Sequence, residues 1–275
     1  MTRADARRIG RRFTQLAARG RTGLVPFVTA GDPLPECMVA LMHALVDAGA
    51  DLIELGVPFS DPMADGPVIQ HASERALAKG VGLREVLDWV REFRVRDDDT
   101  PVVLMGYMNP VEVHGAARFG QDAVASGVDG ILLVDCPIEE WQAAEPLRAA
   151  GLDQVLLAAP TTVEPRLSAV CAATRGFLYY VSFAGITGAD RLSLDSVRER
   201  VAQVRERSAV PIAVGFGVRD AASAAAIGGF ADAVVIGSAL VERLAGAEGE
   251  AELRARARGF LEPIRAALDG AGKKA

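Results

Sequence analysis

The chain has 275 residues, half of them hydrophobic and 24% charged, with a net charge of −6, which suits one large core burying roughly three quarters of the unfolded surface. The acidic balance and the lack of interior Lys/Arg runs exclude a nucleic-acid groove or an anionic membrane surface as the natural partner and point to small solutes. Cys37, Cys136 and Cys171 are odd in number, far apart and outside any C-x-x-C pattern, so neither disulfides nor a zinc site are expected, and a reducing cytoplasm is the expected location.

Arg7-Arg8 and Arg11-Arg12-Phe13-Thr14 have the look of a twin-arginine export signal, but no long apolar core follows them. Ile9, Phe13 and Leu16 fall at helical spacing, which predicts a short amphipathic helix packed on the domain. No apolar run is long enough to span a bilayer. Leu24 to Ala30 then reads as a strand ending in Gly31-Asp32-Pro33, with a helix through Met38, Leu41, Leu45 and Val46. The unit recurs: strand 51–55 with helices 69–78 and 83–93, 101–105 with 111–126, 129–134 with 138–150, 153–157 with 164–173, 177–181 with 194–207, 210–214 with 220–227, and 233–236 with a helical region to about residue 268.

Eight aliphatic runs, each followed by a helix, predict a parallel sheet closed on itself as a (β/α)8 TIM barrel with an extra N-terminal helix. The expected domain covers residues 1–270, with 271–275 as a disordered tail. An open doubly wound sheet would normally show G-x-G-x-x-G after its first strand, and Thr29-Ala30-Gly31-Asp32-Pro33 is not one.

The stretch from Glu54 to Pro67, E-L-G-V-P-F-S-D-P-M-A-D-G-P, holds the densest chemistry. Glu54 is a carboxylate in a strand where only aliphatic side chains are expected, and Asp61 and Asp65 follow in a loop too rich in Pro and Gly for helix or strand. Loops after strands carry the chemistry of a barrel.

These residues resemble one family, the α subunit of tryptophan synthase. Residues 26–33 (PFVTAGDP) are similar to its first strand and turn, 54–67 to its signature loop, and SFAGITG (182–188), GFG (215–217) and GS (237–238) to its later strand ends. The resemblance spans essentially the whole chain. It implies cleavage of indole-3-glycerol phosphate to indole and glyceraldehyde 3-phosphate in L-tryptophan biosynthesis. It further implies an α2β2 complex in which indole passes to a β subunit carrying pyridoxal phosphate, with Pro58 and Asp61 at the interface between them.

Retro-aldol cleavage needs an electron sink, supplied elsewhere by a lysine Schiff base or a metal. The only lysines are Lys79, beside a helix end, and Lys273 and Lys274 in the tail; His43, His71 and His114 have no ligand spacing. No metal and no cofactor are therefore expected in this chain, and the indole ring, protonated at C3, would serve as its own sink. Glu54, flanked by Ile53 and Leu55, is the candidate that gives and takes protons, its carboxyl raised by desolvation. Asp65, on a Gly-flanked loop that keeps it solvated, is the candidate anion beside the ring nitrogen. A structural ion pair is the competing reading of Glu54, and a turn-forming Asp before Gly that of Asp65.

Gly217, Gly237 and Ser238 on consecutive strand ends, with Gly188 from the sixth loop, are the candidate phosphate cradle of backbone N–H groups. Phe27, Ile69, Met105, Tyr107, Val134, Tyr179 and Phe216 lie where an aromatic slot would form, and core packing is the competing reading for Met105 and Val134. Thr187 stands where the family places a threonine that contacts the catalytic loop. Phe183 stands where many members carry a basic residue, so a loop-ordering contact through that charge is not expected here. A non-catalytic barrel that only activates a partner would lack Glu54 or Asp65; an isomerase or indole-glycerol phosphate synthase would need a strand-end lysine.

Overall fold

The computed structural model describes residues 7–181, 194–215 and 217–271. Nine parallel strand segments run β1 (Gly23–Thr29), β2 (Ile53–Gly56), β3 (Val102–Gly106), β4 (Gly130–Leu133), β5 (Asp153–Gln154), β6 (Leu156–Ala158), β7 (Leu178–Val181), β8 (Ile212–Gly215) and β9 (Ala233–Ile236). Their order in the sheet is β5-β4-β3-β2-β1-β9-β8-β7-β6. The two edge segments are one stave: β5 pairs with β4, β6 pairs with β7, and Val155 between them donates its N–H to the Ile131 carbonyl at 2.9 Å. The ring is thereby nearly closed, a (β/α)8 barrel as the sequence predicts.

The helices are α1 (Arg8–Ala18), α2 (Met38–Asp47), α3 (Pro67–Ala78), α4 (Leu83–Phe93), α5 (Met108–His114), α6 (Ala116–Ser126), α7 (Glu145–Ala150), α8 (Arg166–Ala173), α9 (Leu194–Arg205), α10 (Ala221–Gly228), α11 (Ser238–Leu244) and α12 (Glu250–Gly270). Three differ from the sequence expectation. The helix expected over 111–126 is two, broken at Gly115, whose φ of 89° belongs to the region glycine favours. The helix expected over 138–150 starts as a 3-10 turn, Ile138–Ala144. The last helical region divides into α11 and α12.

Strands buried on both faces explain the near-continuous aliphatic runs. Ile53, Leu55 and Leu104 pack outward against the helices, while Val25, Leu52, Val103, Leu132 and Phe177 point inward. At the N-terminal end of the barrel Ile9, Phe13 and Leu16 of α1 join that inner cluster and plug it. Acids at the strand starts secure the same end: Asp51, Asp129 and Asp232 accept from the N–H groups of Leu24, Val102 and Ile212 on neighbouring staves at 2.9, 2.8 and 2.8 Å. Arg94 pairs with Asp129 and Arg265 with Asp51, leaving the opposite, C-terminal mouth as the open face.

Candidate active site

Strand alternation turns Glu54 inward, because Ile53 and Leu55 on either side pack toward the helices. In the ladders it stands opposite Phe27 of β1 and Val103 of β3. The residue is 1% exposed, and among the described residues neither carboxylate oxygen has a hydrogen-bond partner. A structural ion pair, the competing reading, would supply one. Burial, with the nearby charge of Asp65 second, pushes the Glu54 carboxyl from 4.5 to about 8. It is therefore a neutral acid near neutral pH.

Asp65 sits on the loop between β2 and α3. The sequence predicts a solvated carboxylate, but the residue is half-buried, and burial raises its carboxyl against the lowering effect of a hydrogen bond from Tyr107. Tyr107 Oη donates to Asp65 Oδ2 at 3.0 Å and accepts from Ala64 N–H at 3.1 Å. Phe59 leans on the Tyr107 ring at 5.2 Å. Tyr107 follows β3, and its burial beside Asp65 raises its own phenol.

The other candidates converge on the same mouth. Phe27 packs with Ile69, Val68, Ala72, Met105 and Val241 in an apolar wall beside Glu54. Val134 and Tyr179 belong to the inner cluster, and burial raises the Tyr179 phenol, with Glu54 and Asp65 adding to the shift. Gly237 lies against Phe27, Ser238 opens α11, and Gly217 has a φ of 81°. Pro58 is buried within the chain, whereas Asp61 is exposed and accepts from the Ser60 hydroxyl. Thr187, Gly188, Phe216 and the departure at Phe183 lie outside the described residues.

Two polar residues at the site escaped the sequence reading. Gln70, in the first turn of α3, donates from Nε2 to the Asp65 carbonyl at 2.8 Å. Thr29, at the C-terminal end of β1 across from Gly56, has a buried hydroxyl without a partner among the described residues. A glutamine in a helix reads as solvent-facing and a threonine in a strand as filler, so neither carries a signal by spacing. Among the described residues no three His, Cys, Asp or Glu side chains are grouped to hold a metal ion, and no helix is long and apolar enough to cross a membrane.

A nearly closed parallel barrel that brings two carboxylates to its C-terminal mouth is an architecture of (β/α)8 enzymes. The family model described as "Tryptophan synthase alpha chain" matches residues 13–267. The tryptophan synthase alpha chain of Ralstonia nicotianae is 57% identical over 263 residues, covering 95% of this chain and 99% of that one. One from Xanthomonas oryzae pv. oryzae is 58% identical over 271 residues, covering 96% and 100%. Among solved structures, tryptophan synthase subunit alpha from Legionella pneumophila aligns with a TM-score of 0.89 at 42% identity, covering 96% of this chain and 99% of that one. A chain of M. tuberculosis tryptophan synthase in its aminoacrylate-bound form gives a TM-score of 0.83 at 36% identity, covering 96% and 100%. The chain belongs to the tryptophan synthase alpha chain family. It is accordingly a carbon-carbon lyase of tryptophan biosynthesis that cleaves indole-3-glycerol phosphate.

Proposed function

We propose that one barrel domain over residues 1–270 performs this cleavage with Glu54 as proton carrier and Asp65 as electrostatic partner, and without metal, Schiff base or cofactor. The unpaired, desolvated carboxyl of Glu54 is the observation that carries the reading. Glu54 in its acid form protonates C3 of the indole ring, which becomes an indoleninium cation. Asp65, as carboxylate, faces the ring N–H and stabilises the positive charge. Glu54, now a carboxylate, takes the proton of the side-chain hydroxyl next to the ring. The carbon-carbon bond breaks, its electron pair returns to the ring, and indole and D-glyceraldehyde 3-phosphate result with Glu54 reprotonated. Lys79 is committed elsewhere, donating to the Pro33 carbonyl, which fits a reaction without a Schiff base.

The wall of Phe27, Ile69 and Tyr107, with Tyr179 and Phe216, would hold the ring. The backbone N–H groups of Gly188, Gly217, Gly237 and Ser238 would hold the phosphate, and Thr187 would meet the closing loop. For a tryptophan synthase β subunit, the chemistry suits the mouth of the barrel: Met63, Val113 and Val163 are 84%, 82% and 62% exposed and all follow strand ends. A partner seated on the mouth would cover these exposed apolar side chains. Asp61 would sit at this interface with Pro58 buttressing the loop beneath it. The α2β2 assembly would pass indole to pyridoxal phosphate on the β subunit, in the cytoplasm. Indole release from indole-3-glycerol phosphate, assayed with and without a β subunit, should rise on its addition and fall at least 100-fold in Asp65→Asn. Full activity in that variant would remove Asp65 from the chemistry, and indifference to the β subunit would remove the partner.

A further inference from the structure

The loop that carries Asp65 is gripped from two sides. On one side stands Tyr107, bonded to Ala64 N–H and to the Asp65 carboxylate. On the other is Gln70, whose Nε2 donates to the Asp65 carbonyl at 2.8 Å and reaches the Pro62 carbonyl at 3.5 Å. The Asp65 N–H itself turns back to Pro62 O at 3.0 Å, so both carbonyls that Gln70 faces belong to one tight turn. Gln70 is fixed in its own right: its backbone N–H donates to Gly66 O at 3.0 Å within α3. The helix is anchored further along by Arg75, which grips both oxygens of Asp32 at 2.7 and 2.9 Å. The turn is thus tied to a rigid helix through one side-chain amide.

We infer that Gln70 is a positioning residue for the lyase reaction, holding the 62–65 turn so that the Asp65 carboxylate faces the site before substrate arrives. The inference rests on the proposed role of Asp65. Gln70 touches neither the reacting ring nor the phosphate cradle in this reading, so its effect is on kcat rather than on binding. A carboxylate misplaced by about 1 Å loses much of its value to a developing cation, on the order of 100-fold at most. Tyr107 alone would hold the turn from one side only, leaving the Asp65 carbonyl without its tie to α3.

Two variants separate positioning from mere packing. Gln70→Leu removes the donor at every pH. Gln70→Glu restores it only when protonated, since its O–H can donate to the Asp65 carbonyl while the anion is repelled by both carbonyls and by Asp65. Those neighbours should raise its carboxyl above the ordinary glutamate range. Steady-state rates of indole release are measured from pH 5 to 9 for both variants and for Asp65→Asn, with melting temperatures alongside. The expected result is a kcat lowered about 10- to 100-fold in Gln70→Leu with KM changed less than about threefold. Gln70→Glu should match it at pH 8 and recover several-fold, relative to the unmodified protein, by pH 5.5. Gln70→Leu with kcat within twofold of the unmodified protein, or Gln70→Glu tracking it at a fixed ratio across the pH range, overturns the inference. Asp65→Asn keeps the two failures apart: full activity there sinks the proposed role of Asp65 itself, whereas its loss beside an active Gln70→Leu sinks the positioning role alone.

Discussion

Tyr107 and Asp65, 42 residues apart in the chain, are joined by a 3.0 Å hydrogen bond from phenol to carboxylate across the mouth of the barrel. The bond favours the ionised form of Asp65 against the burial that raises its carboxyl. Tyr107→Phe removes that support, so the Asp65 carboxyl should rise further. Because the reaction uses the anion, the acid limb of the kcat/KM profile should move to higher pH and the plateau should drop by about 3- to 30-fold, near the cost of one charge-assisted hydrogen bond. A pH series of indole release on the variant checks both.

The pair also sets the pH range of the unmodified protein. Cleavage should fail on the alkaline side as Glu54 loses its proton near pH 8, and on the acid side as Asp65 gains one above the ordinary aspartate range near 3.8. The two limbs belong to the coupled pair. A kcat/KM profile measured from pH 4.5 to 9.5 should be bell-shaped, and a flat alkaline arm beyond pH 9 would disagree.

Glu54 should also leave a mark on stability. Its folded carboxyl lies above its unfolded value, so its favourable contribution is complete below about pH 4.5 and is lost as pH rises through about 8. The gap corresponds to on the order of 5 kcal/mol. Glu54→Gln, which cannot ionise, should gain stability over the unmodified protein as pH rises from 5 to 9, read from urea unfolding at each pH.

How much of this was legible in the sequence follows from which interactions are local. Glu54 stood out because a carboxylate interrupted an aliphatic strand, and strand alternation then fixed its direction. The eight strand-helix units were legible for the same reason, each being a local periodicity. The break of the fifth stave at Val155 was not, because it comes from pairing with β4 on one side and β7 on the other. Asp65 was read as solvated because the residue that covers it, Tyr107, lies on another strand's loop. Gln70 makes its contact within the loop-helix junction, yet a polar residue in a helix has many surface explanations.

Tight glycine packing at the mouth gives a separate prediction. A Cβ on Gly215 would lie 2.3 Å from the Tyr179 hydroxyl and 2.7 Å from its ring carbon Cζ. Gly215→Ala must therefore displace Tyr179 from the inner cluster, at a cost of about 1–3 kcal/mol in stability. Thermal unfolding should show the loss, and Gly215→Ala/Tyr179→Leu should regain part of it because the ring tip is gone.

Arg75 and Asp32 tie α3 to the loop after β1. Asp32 is buried while the guanidinium is partly exposed, so Arg75→Leu strands a carboxylate inside the fold. The expected cost is about 2 kcal/mol, below that of a fully buried pair because water can reach the vacated side. Denaturant unfolding would measure it, with a loss under about 0.5 kcal/mol contradicting the latch.

The central claim is that the buried, unpartnered carboxyl of Glu54 moves the protons. The most direct measurement is single-turnover indole release by Glu54→Gln beside the unmodified protein at pH 7, with folding of both confirmed by circular dichroism. An amide cannot protonate C3 or take the hydroxyl proton, so the rate should fall by at least about 1,000-fold with the fold intact. A folded Glu54→Gln that releases indole within tenfold of the unmodified rate would contradict the account.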